Sequence, residues 1–125
     1  MSPVDSNGPE PSARLNGRER EPAGVTQYAL GAAWVVEARG AYDMHSLGPL
    51  ADALRTAAEE HPRVVLDAAG ITFADSTLLN LLLRVHQVTT LRVAAPAPQL
   101  RRVLEVTGAD TVLDVRETVA DAAAS

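Results

Sequence analysis

The sequence predicts an α/β fold, a single, partly parallel sheet with helical cover, and three observations carry that expectation. Short apolar or alternating runs (27–30, 32–38, 63–67 and 90–94) are separated by stretches whose apolar residues recur at three and four positions. From residue 45 onward strands and helices take turns, and strand–helix–strand units build parallel sheets. The 125 residues fit one domain, in which a chain of this size buries roughly two thirds of its unfolded surface. Aromatics make up 3% of a chain that is 46% hydrophobic, so the core is expected from Leu, Val, Ile and Ala.

Taken in order, residues 1–24 hold four of the eight prolines and three of the eight glycines and show no apolar period. Burial there cannot offset the entropy of ordering, so a flexible amino-terminal tail is expected, with the folded domain over 25–125. Residues 27–30 and 32–38, separated by Gly31, read as two strands, as in a hairpin. Gly40 in the run 39–43 (RGAYD) supplies a turn or a close backbone approach. Ser46 is an N-cap candidate for a helix whose stripe is Leu47, Leu50, Ala51, Leu54 and Ala58, with Pro49 in the first turn and Pro62 as terminator. Residues 63–67 (RVVLD) form a buried strand, 67–70 a turn, and 71–73 a short apolar piece leading to Asp75. A helix follows over 76–86, apolar nearly all round and therefore covered by other elements. Then come a strand over 90–94, a helix over 99–106 stopped by Gly108, a short strand at 112–113 and an Ala-rich helix over about 116–123.

Composition excludes several functions. With 11 basic against 16 acidic residues the formal charge is -5, and the cations, all Arg, are mostly interleaved with acids, so no nucleic-acid partner is expected. The chain has no cysteine, which removes thiol catalysis, disulfides and thiolate-ligated metals. His45, His61 and His86 fall on different elements without ligand spacing, so neither a metal nor a cofactor is expected. Ser46 beside His45, and Ser76 beside Asp75, lack the oriented base that a nucleophile needs. Asp67 and Asp75 flank one short segment, but no third group completes a mechanism. Dinucleotide, P-loop, esterase and zinc-protease motifs are absent, and an enzyme is not expected. The most apolar stretch, 78–85, is far shorter than the roughly 20 residues that span a bilayer. Residues 1–8 carry neither the basic segment nor the apolar run of a secretory signal, so the expected location is the cytoplasm.

Chemistry concentrates at Asp75-Ser76-Thr77. Asp75 is a strong N-cap candidate, since its carboxylate can accept from the free N–H groups of the first turn. Ser76 and Thr77 then occupy the first helical positions with their hydroxyls at the helix end. Two readings stand here. The cluster does no more than cap the helix, or a hydroxyl there takes a phosphate. That group's charge of roughly -1.5 to -2 would face unpaired N–H groups and the positive end of the dipole.

Three elements in order resemble the STAS domain family, specifically the bacterial anti-sigma factor antagonists. The central one is VVLDAAGITFADSTLLNLLL, residues 64–83; RGAYD, 39–43, is similar to the family's turn before the first helix, and RRVLEVTGA, 101–109, to its penultimate helix. The resemblance covers about residues 26–123. It implies a sheet of four to five mixed strands with about four helices, largely packed on one side. It implies Ser76 as phosphoacceptor, Thr77 being the poorer candidate, for an anti-sigma factor that is also a serine kinase. The unphosphorylated antagonist would bind that kinase and free a sigma factor. Asp43, Asp75, Ser76, Thr77 and Leu78 would form the partner-binding set. Leu78 and Asn80 stand where the family usually has glycine, so Leu78 would either obstruct the partner's close approach or replace that contact with a hydrophobic one. The alternative is a stressosome-type or transporter-accessory STAS scaffold, homo-oligomeric or in larger assemblies, that binds without a phosphorylation switch.

Overall fold

The computed structural model describes residues 23–124, so the expected tail lies outside the described residues except for its last two positions. Its end needs correction, because Gly24 already belongs to the first strand. In chain order the elements are β1 (Gly24–Leu30), β2 (Ala33–Tyr42), α1 (Gly48–Glu60), β3 (Arg63–Ala74), α2 (Ser76–His86), β4 (Thr90–Ala94), α3 (Pro98–Thr107), a short 3-10 turn (Ala109–Thr111), β5 (Asp114–Arg116) and α4 (Val119–Ala124).

The five described strands form one sheet in sequence order, β1 antiparallel to β2 and every later neighbour parallel. Gly31, at φ 60°, makes the tight β1–β2 turn that pairs Leu30 with Ala33. The three parallel connections each carry one helix and all step the same way along the sheet. Crossovers of one hand therefore place α1, α2 and α3 on the same face. There they bury Leu50, Leu54, Leu78, Leu82, Leu100 and Leu104 against Val36, Leu66, Leu91 and Val93. The fold class is as expected, an α/β fold with a mixed five-stranded sheet and helices mainly on one side. The small α4 crosses to the other face, over Ala33, Val35, Val65 and Ala94. Two sheet arginines hold it there: Arg92 Nη1 donates to the Ala122 carbonyl at 3.0 Å and Arg63 Nη1 to that of Ala123 at 3.5 Å.

Several local expectations are corrected. The turn expected over 67–70 is instead a passage within a long strand, and of the two roles expected of Gly40 chain reversal is not the one used, since it too lies inside a strand. β2 continues to Tyr42 and β3 to Ala74, with register shifts between Glu37 and Arg39 and between Gly40 and Ala41. Gly40 adopts φ 96°, a backbone that favours glycine, and a Cβ on Gly70 would lie 2.9 Å from Arg39 Cγ and 3.3 Å from the Ala38 carbonyl oxygen, so these glycines serve a special backbone angle and a close strand contact rather than chain reversal. Ser46 is not the cap of α1, which starts after Leu47 without a side-chain cap. Its hydroxyl serves the preceding turn instead. The last strand is 114–116 rather than 112–113, because the 3-10 turn occupies the chain just before it, and α4 begins only at Val119.

Candidate functional site

β2 and β3 run parallel and end side by side, with Tyr42 paired to Ala74. The residues that follow, Asp43 and Asp75, are thus brought to one end of the sheet from positions far apart in sequence. Tyr42, fully buried, also ties β1 to this end by donating its hydroxyl to the Gly24 carbonyl at 2.8 Å.

At the β3–α2 junction Asp75 is the N-cap. Its backbone is extended (φ -126°, ψ -168°), and its Oδ1 accepts the Thr77 N–H at 2.9 Å. The Asp75 carbonyl accepts the Leu79 N–H at 3.2 Å, which closes the first turn. Ser76 lies between cap and bonded amide with its side chain exposed, while Thr77 is half-buried. The first turn carries no acidic side chain of its own, and Arg84 and His86 lie in the last turn. The charge distribution of α2 therefore complements its dipole at both ends, with the Asp75 carboxylate at the cap and Arg84 in the last turn.

Beside it, the turn 43–46 is closed by Asp43. Its Oδ1 accepts the His45 N–H at 2.9 Å and the Ser46 N–H at 3.1 Å. The Ser46 hydroxyl accepts the Asp43 N–H at 3.0 Å and lies 3.1 Å from the Ala41 carbonyl. The His45 amide holds the Asp43 carboxyl below the usual range; partial desolvation opposes this and Ser46 adds to it. Asp43 is thus an ionised turn-former whose Oδ1 is engaged by its own loop.

The structure brings Asp43, Asp75, Ser76 and Thr77 to this end of the sheet. Leu78 does not belong to that surface. It is 0% exposed and packs in the main core, so its side chain offers no docking contact, and the expectation for it is corrected. A helix entering at Asp75 turns its third residue inward to the sheet, which the apolar spacing of Leu78, Leu82 and Val85 already encodes.

Three contributors escaped the sequence reading. Met44 (71% exposed) and Phe73 (43% exposed) place apolar side chains at the same end of the sheet. Gln99, at the start of α3, bonds the Ala74 peptide twice: its Oε1 accepts the Ala74 N–H at 2.8 Å and its Nε2 donates to the Ala74 carbonyl at 2.9 Å. Gln99 carries no sequence signal, since the contact joins residues that only the packing of α3 brings together. A shallow depression of about 570 Å³ lies elsewhere, at the opposite end of the sheet, lined by His61, Pro62, His86 and Thr89 among others. Among the described residues no group of three or more potential ligands could hold a metal, and no helix is long and apolar enough to cross a membrane.

The family model described as "Mlab, STAS domain" matches residues 25–116, which takes in all of the sheet but its first residue, and both strand-end turns. The chain belongs to the STAS domain family. Among solved structures, this STAS domain is similar to an anti-sigma factor antagonist from Mycobacterium paratuberculosis, with 25% identity and a TM-score of 0.74 over 80% of this chain and 90% of that one. It is also similar to an anti-sigma-factor antagonist (STAS) domain protein from Planctomyces limnophilus, with 19% identity and a TM-score of 0.68 over 80% and 95% of the two chains. SpoIIAA in its unphosphorylated form shares the fold at 17% identity and a TM-score of 0.66, over 79% and 92%. No curated protein matches this STAS chain.

Proposed function

We propose that this STAS domain is an anti-sigma factor antagonist switched by phosphate on Ser76. Unphosphorylated, it binds an anti-sigma factor with serine kinase activity and so releases a sigma factor; phosphorylated, it lets the kinase go. The observation that carries this reading is the exposed Ser76 hydroxyl at the first position of α2, immediately after the Asp75 cap. The transfer moves the terminal phosphoryl group of ATP to Ser76 Oγ. The new O–P bond replaces the bond to ADP, and the hydroxyl proton leaves to a base of the kinase. The domain supplies only the acceptor and its presentation. The new dianion sits at the positive end of the helix dipole, so the fold tolerates it, while a partner docked over Ser76 meets two added charges. Met44 and Phe73 offer that partner apolar contact, and Asp43 and Asp75 hold the two turns that frame it.

The test is incubation with candidate anti-sigma kinases and ATP, followed by mass analysis of the peptide containing Ser76. Phosphate is expected on Ser76 and not on Thr77. Partner binding is expected to survive Ser76→Ala and to fall by about tenfold or more in Ser76→Asp. Binding unchanged by both substitutions would sink the switch. It would favour the alternative for a STAS domain: a stressosome-type or transporter-accessory scaffold that binds without phosphorylation.

A further inference from the structure

The β4 side of β3 is paired only from Arg63 to Asp67, opposite Thr90 to Ala94, because β4 ends at Ala94. β3 runs on for seven more residues, to Ala74, with β2 as its strand neighbour. The chain leaves β4 through Ala95, a non-glycine residue at φ 52°, whose N–H is bonded to the Arg116 carbonyl at 2.8 Å. That turn and the buried Pro96 carry the chain to α3, which starts at Pro98 with Gln99 as its second residue. The Gln99 amide then meets Ala74 with one acceptor and one donor. These are the groups that the peptide of an adjacent strand would present, so one side chain stands in for a strand where the sheet has run out.

Ala74 is the last residue before the Asp75 cap. We infer that Gln99 is a positioning residue for the Ser76 junction: it fixes the Ala74 peptide, through it the strand-to-helix turn, and so makes α3 part of the machinery that presents Ser76. The inference rests on the proposed role of Ser76. The chemistry is narrow. Alanine removes both bonds. Glutamate, when ionised, can accept the Ala74 N–H but sets an anion against the Ala74 carbonyl, whereas protonated glutamate again offers one acceptor and one donor. Because the proton stabilises the clamp, the carboxyl of a Gln99→Glu variant should bind it more tightly than an exposed glutamate does, and the clamp should return as pH falls.

Amide hydrogen exchange of the full chain, read residue by residue by NMR, tests this without a partner. In Gln99→Ala the Ala74 and Thr77 amides should exchange faster by about tenfold or more, as expected when two bonds holding a local opening are lost. The Val64 and Leu66 amides should change no more than in Val93→Ala, a core variant chosen for similar overall loss of stability. Gln99→Glu should resemble Gln99→Ala near neutral pH and approach wild type at about pH 4.5, each compared with wild type at the same pH. Unchanged Thr77 exchange in Gln99→Ala, or a Gln99→Glu variant that tracks Gln99→Ala at every pH, would overturn the inference. With a kinase that modifies wild-type Ser76, Gln99→Ala should lose kcat/KM severalfold while Val93→Ala does not; equal rates would likewise overturn it. A wild-type chain that takes no phosphate defeats the proposed function instead, and the exchange of Thr77 still decides the role of Gln99.

Discussion

The Asp75 carboxylate accepts the Thr77 amide at 2.9 Å, and Ser76, held between them, keeps its side chain in solvent. Cap and presentation are therefore one arrangement. Asp75→Ala should cost about 1 kcal/mol of stability, the usual value of an N-cap, whereas Asp75→Asn should retain most of it. Urea unfolding measures the cost. If Asp75 also presents Ser76, Asp75→Ala should slow its phosphorylation at temperatures far below the unfolding midpoint.

Leu78 provides a sharp contrast to its exposed neighbour. Fully buried against the sheet, it should cost about 2–5 kcal/mol when replaced by alanine, as large core truncations do. Glycine should cost about 1 kcal/mol more through helix propensity. Thermal or urea unfolding reads both. A loss of partner affinity in Leu78→Ala without loss of stability would contradict its place in the core.

Acid should weaken the domain through two carboxylates. The Asp43 carboxyl is held below its ordinary value chiefly by the His45 amide. That of Asp114 is lowered chiefly by Arg116, whose Nε donates at 2.7 Å, and further by Arg92 at 3.0 Å, with burial opposing both. A group whose folded value is depressed binds its proton more readily in the unfolded chain. Its contribution is thus complete above the unfolded carboxylate range, near pH 4, and disappears as pH falls through the lower folded value. Urea midpoints measured downward from pH 5 should therefore fall, and should fall less steeply in Asp43→Asn and Asp114→Asn.

Ala95 keeps a left-handed backbone that favours glycine. Ala95→Gly should relieve roughly 1–2 kcal/mol of local strain, less the roughly 0.4–1 kcal/mol by which glycine stabilises the unfolded chain. A small rise in melting temperature is expected. A fall would mean that the Ala95 methyl contributes packing greater than the strain.

How much of this could be read beforehand depended on how far apart the interacting groups are in sequence. The stripe of α1, the apolar spacing of α2, the Asp75 cap and the stop at Gly108 all follow from residues within one or two helical turns. Local propensity and capping chemistry act at that range. Gly40 left a turn and a close approach both open, and Gly70 pointed to a turn that the long strand replaces, because a glycine signals backbone freedom without saying what uses it.

By itself the sequence determined that this chain makes one sheet with helical cover, where α2 begins, and that a hydroxyl stands beside a capping carboxylate there. Only the tertiary structure decided that β2 and β3 run on past their glycines, that α4 lies on the far face, that Leu78 turns inward, and that Gln99 takes the place of a missing strand at Ala74. The reason is physical. Caps and periodicities are satisfied within a few residues of their own position, whereas a peptide left unpaired at a sheet's end is satisfied by whatever the packing of distant elements brings within hydrogen-bonding range.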